Sequence, residues 1–111
     1  MKKFKLILVS IVANLAFSNI VSADGPGWTG EREVVEIVTV INGGINVRLN
    51  PDLAGCVSQS GYGEKYASIY PEHPGKNLFQ SNLLAAMMSG KKVSLYLSDN
   101  QCKVYEMRIH K

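Results

Sequence analysis

Trp28, Tyr62, Tyr66, Tyr70, Tyr96 and Tyr105 are the side chains best suited to engaging a partner. Each couples a flat apolar ring to a polar tip, the combination that stacks on sugars and anchors protein interfaces. Their settings differ. Tyr96 alternates outward from Val93, Leu95 and Leu97, which makes it a surface aromatic. Tyr105 shares a strand face with Met107 and Ile109 and reads as core, and Tyr66 and Tyr70 read as barrel lining. Trp28 stands in the glycine-rich arm DGPGWTG, where it packs either on a neighbouring subunit or on its own domain.

Residues for catalysis are sparse. Ser58-Gln59-Ser60-Gly61 lacks the leading glycine of a nucleophile elbow. There is no phosphate-cradling glycine loop and no His/Cys cluster with metal spacing. The nine acidic residues are scattered, so a carboxylate pair of the glycosidase type is not marked by spacing. The expectation is a non-enzyme with no metal and no cofactor. Cys56 and Cys102 are the only cysteines, and two readings present themselves. A disulfide would close a loop of 46 residues, worth roughly 3–4 kcal/mol by loss of chain entropy. A catalytic thiol would need an imidazole, yet His73 and His110, the only two, sit in no cysteine-protease-like signature. The disulfide is the expected state.

The N-terminus sets the compartment. Lys2, Lys3 and Lys5 precede an apolar run from Leu6 to Phe17, and Val21-Ser22-Ala23 supplies small residues for cleavage. That is the layout of a secretory signal peptide over residues 1–23, and the run is shorter than the roughly 20 residues of a spanning helix. The mature protein is expected to be secreted or periplasmic, without a membrane span, and in an environment that permits disulfides. The chain's net charge of +3 equals the three leader lysines, leaving nine basic and nine acidic residues in 24–111. Lys91-Lys92 is the only basic pair there, so no stripe for nucleic acid is visible.

Residues 24–111 suffice for one domain, small enough to need a staple or partner subunits. The arm before Glu31 reads as a loop. Residues 33–41 alternate, with Val35, Ile37, Thr39 and Ile41 on one face and Val34, Glu36, Val38 and Val40 on the other. Asn42-Gly43-Gly44 is a hairpin signal. Ile45, Val47 and Leu49 then alternate with a wet face of Asn46, Arg48 and Asn50. A short strand ends at Tyr70. A helix follows, with Asn77 as N-cap, Gly90 after its C-terminus, and a face of Gln80, Leu83, Leu84, Met87 and Met88 predicted as core. Two strands separated by Ser98-Asp99-Asn100 complete the chain. The order β-β-β-α-β-β, mostly β with one helix, predicts a five-stranded Greek-key barrel of the OB-fold type. An open α+β sandwich is the alternative.

Gly27-Trp28-Thr29-Gly30-Glu31 resembles the mature start of the B subunits of subtilase cytotoxin and typhoid-toxin-type AB5 toxins. Gly55-Cys56-Val57 and the stretches Leu78-Phe79-Gln80 and Met88 to Tyr96 add to the resemblance. It implies an OB-fold subunit assembling as a homopentamer, binding host-cell glycans and delivering a catalytic A subunit, with its helix lining a central pore. The chain departs from that family in one place that matters: no serine lies between Trp28 and Cys56, where the toxins use one against sialic acid. It also lacks their extended C-terminal tail with its second cysteine pair. Trp28, Thr39 and Tyr96 are therefore the expected glycan contacts. The alternative function is a secreted or periplasmic protein-interaction module, such as an inhibitor or envelope factor.

Overall fold

The computed structural model describes residues 24–111, so the signal-peptide reading of residues 1–23 lies outside the described part. Six strands and one α-helix follow in the order β1 (Gly27–Trp28), β2 (Arg32–Thr39), β3 (Ile45–Asn50), β4 (Tyr66–Ile69), α1 (Lys76–Ser89), β5 (Lys92–Leu97) and β6 (Val104–Ile109). A short 3-10 turn, Gln59–Gly61, lies between β3 and β4. β2, β3 and β4 form an antiparallel meander, β5 pairs with both β2 and β6, and the β4 and β6 edges meet at one parallel bridge, Ser68–Lys103. The sheet thus curls into a small OB-fold-like barrel, as expected.

Hairpin chemistry produces the first turn. Val40 N–H donates to the Gly44 carbonyl at 2.9 Å, and Asn42 Oδ1 accepts from Gly44 N–H at 2.8 Å. Gly43 has φ of +87°, which side chains disfavour. A Cβ at Gly44 would collide with the carboxamide of Gln59. The core then follows the pleat: Ile45, Val47 and Leu49 of β3, with Val93, Leu95 and Leu97 of β5, are buried.

Two bulges break the simple alternation. One between Val34 and Glu36 shifts the phase of β2, so Val34 and Ile37 face the core while Val35 is exposed. The other makes Tyr105 the extra residue of β6, because Tyr96 pairs with Glu106 and Leu97 with Val104. Val104 is buried and Met107 packs on the core, whereas Tyr105 is exposed, correcting its assignment as core. The arm also differs from the expected loop. Gly27 and Trp28 pair with Leu97 and Tyr96 as strand β1.

The helix begins at Lys76 rather than after an Asn77 cap. Gly75 occupies the cap position without a side-chain bond, and Phe79 N–H donates to its carbonyl. Gly90 ends the helix in the left-handed region, as expected, with its N–H on the Ala86 carbonyl. The buried face is Phe79, Leu83 and Ala86. Of the expected core face only Leu83 is inside: Leu84, Met87 and Met88 are exposed, Met88 by 79%. Apolar residues surround this helix, so the stripe read from spacing falls about one residue out of phase with the true one.

The Cys56–Cys102 disulfide is present, with Cα atoms 5.1 Å apart. It ties the β3–β4 connection to the start of β6. That connection folds back over β3, so the expected wet face is dry at Asn46, which is fully buried. Asn46 Nδ2 donates to the Gln59 carbonyl at 2.9 Å, and Ser68 Oγ donates to Asn46 Oδ1 at 2.9 Å. Gln59 Nε2 donates to the carbonyls of Ile45 and Ile69, and its Oε1 accepts from Asn42 Nδ2. No buried side-chain polar atom among the described residues lacks a partner. Tyr66 and Tyr70 are half-buried on the outside rather than lining the barrel, and Tyr66 donates its hydroxyl to Glu36 at 2.6 Å.

Candidate ligand-binding surface

The WTG motif fastens its tryptophan to β5. Thr29 N–H donates to the Leu95 carbonyl at 2.9 Å, and Thr29 Oγ1 accepts from Leu95 N–H at 3.0 Å, so one residue mimics a strand pair. Gly30, with φ of +75°, turns the chain into β2. Arg32 locks the corner: its Nε donates to the Thr29 carbonyl, Nη1 reaches the carbonyls of Pro51 and Asp52, and Nη2 lies 3.6 Å from Asp24. The arm that carries Trp28 is therefore held by the protein's own contacts.

Trp28 and Tyr96, opposite one another across β1 and β5, meet edge-on with ring centroids 5.3 Å apart. Arg108 of β6 lays its guanidinium 4.2 Å from the Trp28 ring centroid, a cation–π contact. Glu106 is the cross-strand neighbour of Tyr96. The result is a row of ring, ring and charge on three adjacent strands. Trp28 remains 38% exposed and Tyr96 is half-buried. Thr39 is not part of this row. Glu33 lies opposite Lys92, so Thr39 continues along β2 one way while Tyr96 lies along β5 the other way. Thr39 is exposed at the hairpin end, opposite Ile45.

Sequence reasoning overlooked Arg108 and Glu106. The signal was available in the alternation of Glu106, Arg108 and His110, but placing them beside Trp28 needed the register of the β5–β6 hairpin and its bulge. Next to this row, His110 Nε2 lies 2.7 Å from Ser94 Oγ, and its Nδ1 lies 3.7 Å from Glu31. Ser-His-Glu connectivity of this kind suggests an activated nucleophile. Here Ser94 is only 5% exposed, and the nearby Leu95 N–H is already taken by Thr29, so it offers no oxyanion donor. The trio pins the end of β6 to β5 and to the arm.

A second polar cluster decorates β2–β4. Arg48 Nε bonds Asp52 at 2.9 Å and Lys65 lies 3.6 Å from the same carboxylate. The Arg48 hydrogen bond holds the Asp52 carboxyl below the usual range, and the bond to Glu36 pushes the Tyr66 phenol up. These charges satisfy one another. Elsewhere, Tyr70, His73, Lys103 and Tyr105 line a cleft beside β6. Among the described residues no group of three or more His, Cys, Asp or Glu is placed to hold a metal, and no helix is long and apolar enough to cross a membrane. The chain matches no protein-family model, no curated protein and no solved structure.

Proposed function

We propose that the protein is an exported, non-catalytic binding subunit that takes cell-surface glycans at the Trp28–Tyr96–Arg108 row. The observation that carries this reading is the pre-set Trp28 arm. Ordering a side chain on binding costs about 0.5–1.5 kcal/mol, and an arm already tied to Leu95 and Arg32 avoids part of that cost. A sugar's apolar face would lie on the exposed part of the rings, and Arg108 and Glu106 would meet its hydroxyls. The disulfide supports an oxidising compartment. The toxin-B-like resemblance extends the proposal to a homopentamer delivering an A subunit. Thr39 enters it only as a separate contact at the far end of β2.

Trp28 is the sole tryptophan, so its fluorescence reads this site directly. A glycan array with the disulfide-bonded protein, followed by titration of each hit against Trp28 emission, is the decisive experiment. Hits that leave the emission unmoved, or an array with none, would overturn the glycan reading. Solution mass tests the ring, and a strict monomer would end it. The second reading, a protein-interaction module, is favoured by the outer face of α1, where Leu78 is 71% and Met88 79% exposed. Pull-down of a specific protein by a monomer that binds no sugar would establish it instead.

A further inference from the structure

β4 and β6 run side by side but share only the Ser68–Lys103 bridge, with Ser68 N–H donating to the Cys102 carbonyl at 3.0 Å. Beside that thin seam, the connection from β4 to α1 stands against β6 and leaves a cleft of about 440 Å³. Small-molecule sites span roughly 300–1,000 Å³. The walls are mostly carbon: the rings of Tyr70 and Tyr105, Pro74, and buried Val104.

His73 builds one wall and is committed on both nitrogens. Gly75 N–H donates to Nδ1 at 2.9 Å, so the ring proton sits on Nε2, which donates to the Tyr105 carbonyl at 2.9 Å. The imidazole also packs edge-on against Phe79, with centroids 4.8 Å apart. It buttons the connection to β6 and leaves ligand recognition to other groups. Three charges remain. Lys103 Nζ lies 5.1 Å from the Tyr70 ring centroid, and Glu72 and Glu106 also border the cleft. None of the three takes part in an ion pair among the described residues.

A half-open, mostly apolar cleft edged by one unpaired cation and two unpaired carboxylates suits a ligand carrying both charges on an apolar body. A neutral sugar would leave these charges partly desolvated without counter-charges, and a simple amine or a simple acid would answer only one sign. We propose that this cleft binds a short zwitterionic peptide with an apolar side chain. Its carboxylate sits at Lys103, its ammonium at Glu72 and Glu106, and its side chain between Tyr70 and Tyr105. The cleft shares Glu106 with the glycan row but none of its rings, and the proposal does not depend on that reading.

Calorimetric titration of the disulfide-bonded protein with three probes tests it: alanyl-phenylalanine, its N-acetyl form and its C-terminal amide. The free dipeptide should bind, and each blocked form should bind roughly 3–10-fold more weakly, as expected for partly exposed charge pairs. Lys103→Met should erase the difference between acid and amide. Glu72→Gln should narrow the difference between free and acetylated peptide. No binding of the free dipeptide, blocked forms binding as tightly as the free one, or chemical-shift changes that avoid Tyr70 and Tyr105 would each overturn the proposal.

Discussion

Replacing Asn46 with Ala should destabilise the protein far more than its place on the polar side of a strand suggests. The side chain is fully buried and makes two good hydrogen bonds, to the Gln59 carbonyl and from Ser68 Oγ, both 2.9 Å, plus a longer one from Gln59 Nε2 at 3.4 Å. Each good bond contributes about 1 kcal/mol net, and a buried hydroxyl left without its acceptor adds about 1 kcal/mol or more. Ser68 is that hydroxyl, since its donor side faces only Asn46 Oδ1. The sum is about 3 kcal/mol. For a domain of this size that lowers the melting temperature by roughly 12–24 °C. Urea unfolding with the disulfide intact gives the free energy directly, provided the slope with denaturant is unchanged. Asn46→Asp should be no better, because it keeps the acceptor and turns the donor toward Gln59 into a second acceptor. Ser68→Ala should cost less than Asn46→Ala. A loss below about 1 kcal/mol for Asn46→Ala, the level of an ordinary surface change, would refute the seated loop and the network that holds it.

Four other outcomes follow from the same contacts. Cys56→Ser and Cys102→Ser should each cost roughly 3–4 kcal/mol, from a closed loop of 46 residues, and the native protein should show almost no free thiol in a labelling assay. Arg108→Ala should shift Trp28 emission and lower stability by about 0.5–1 kcal/mol, the scale of an exposed cation–π contact, as read by fluorescence and urea unfolding. By NMR titration, the Asp52 carboxyl should protonate below an ordinary aspartate, and Arg48→Ala should move it back up; the small stability it lends is present above the unfolded value and disappears as pH falls through the folded one. The Tyr66 phenol should ionise above the usual tyrosine range in an absorbance titration, and Glu36→Gln should bring it down.

Much of the architecture was legible because it depends on local chemistry. Asn42-Gly43-Gly44 makes a turn wherever it stands between two alternating runs, and Gly90 ends a helix because it tolerates the left-handed region. With only two cysteines, the pairing had one solution. Those features, with the alternation of β3 and β5, determined a mostly β domain with one helix in the order of an OB-like barrel.

What tertiary structure decided were the phases and the neighbours. A bulge moves every later side chain to the other face, and nothing in Glu33 to Ile41 or around Tyr105 announces where the extra residue falls. The inward face of α1 depended on which stripe met the barrel mouth, so Phe79 and Ala86 went in while Met87 and Met88 stayed out. Asn46 was dried by a returning loop that the Cys56–Cys102 bond and the hydrogen bonds of Gln59 hold against β3. Trp28 lies beside Tyr96 and Arg108 because β1 and β6 flank β5 on opposite sides, 68 and 12 residues away in sequence. Propensity and turn chemistry act over a few residues, so they name the elements. Cross-strand register acts between residues far apart in the chain, and it alone assembles the surface on which this protein's binding function is proposed.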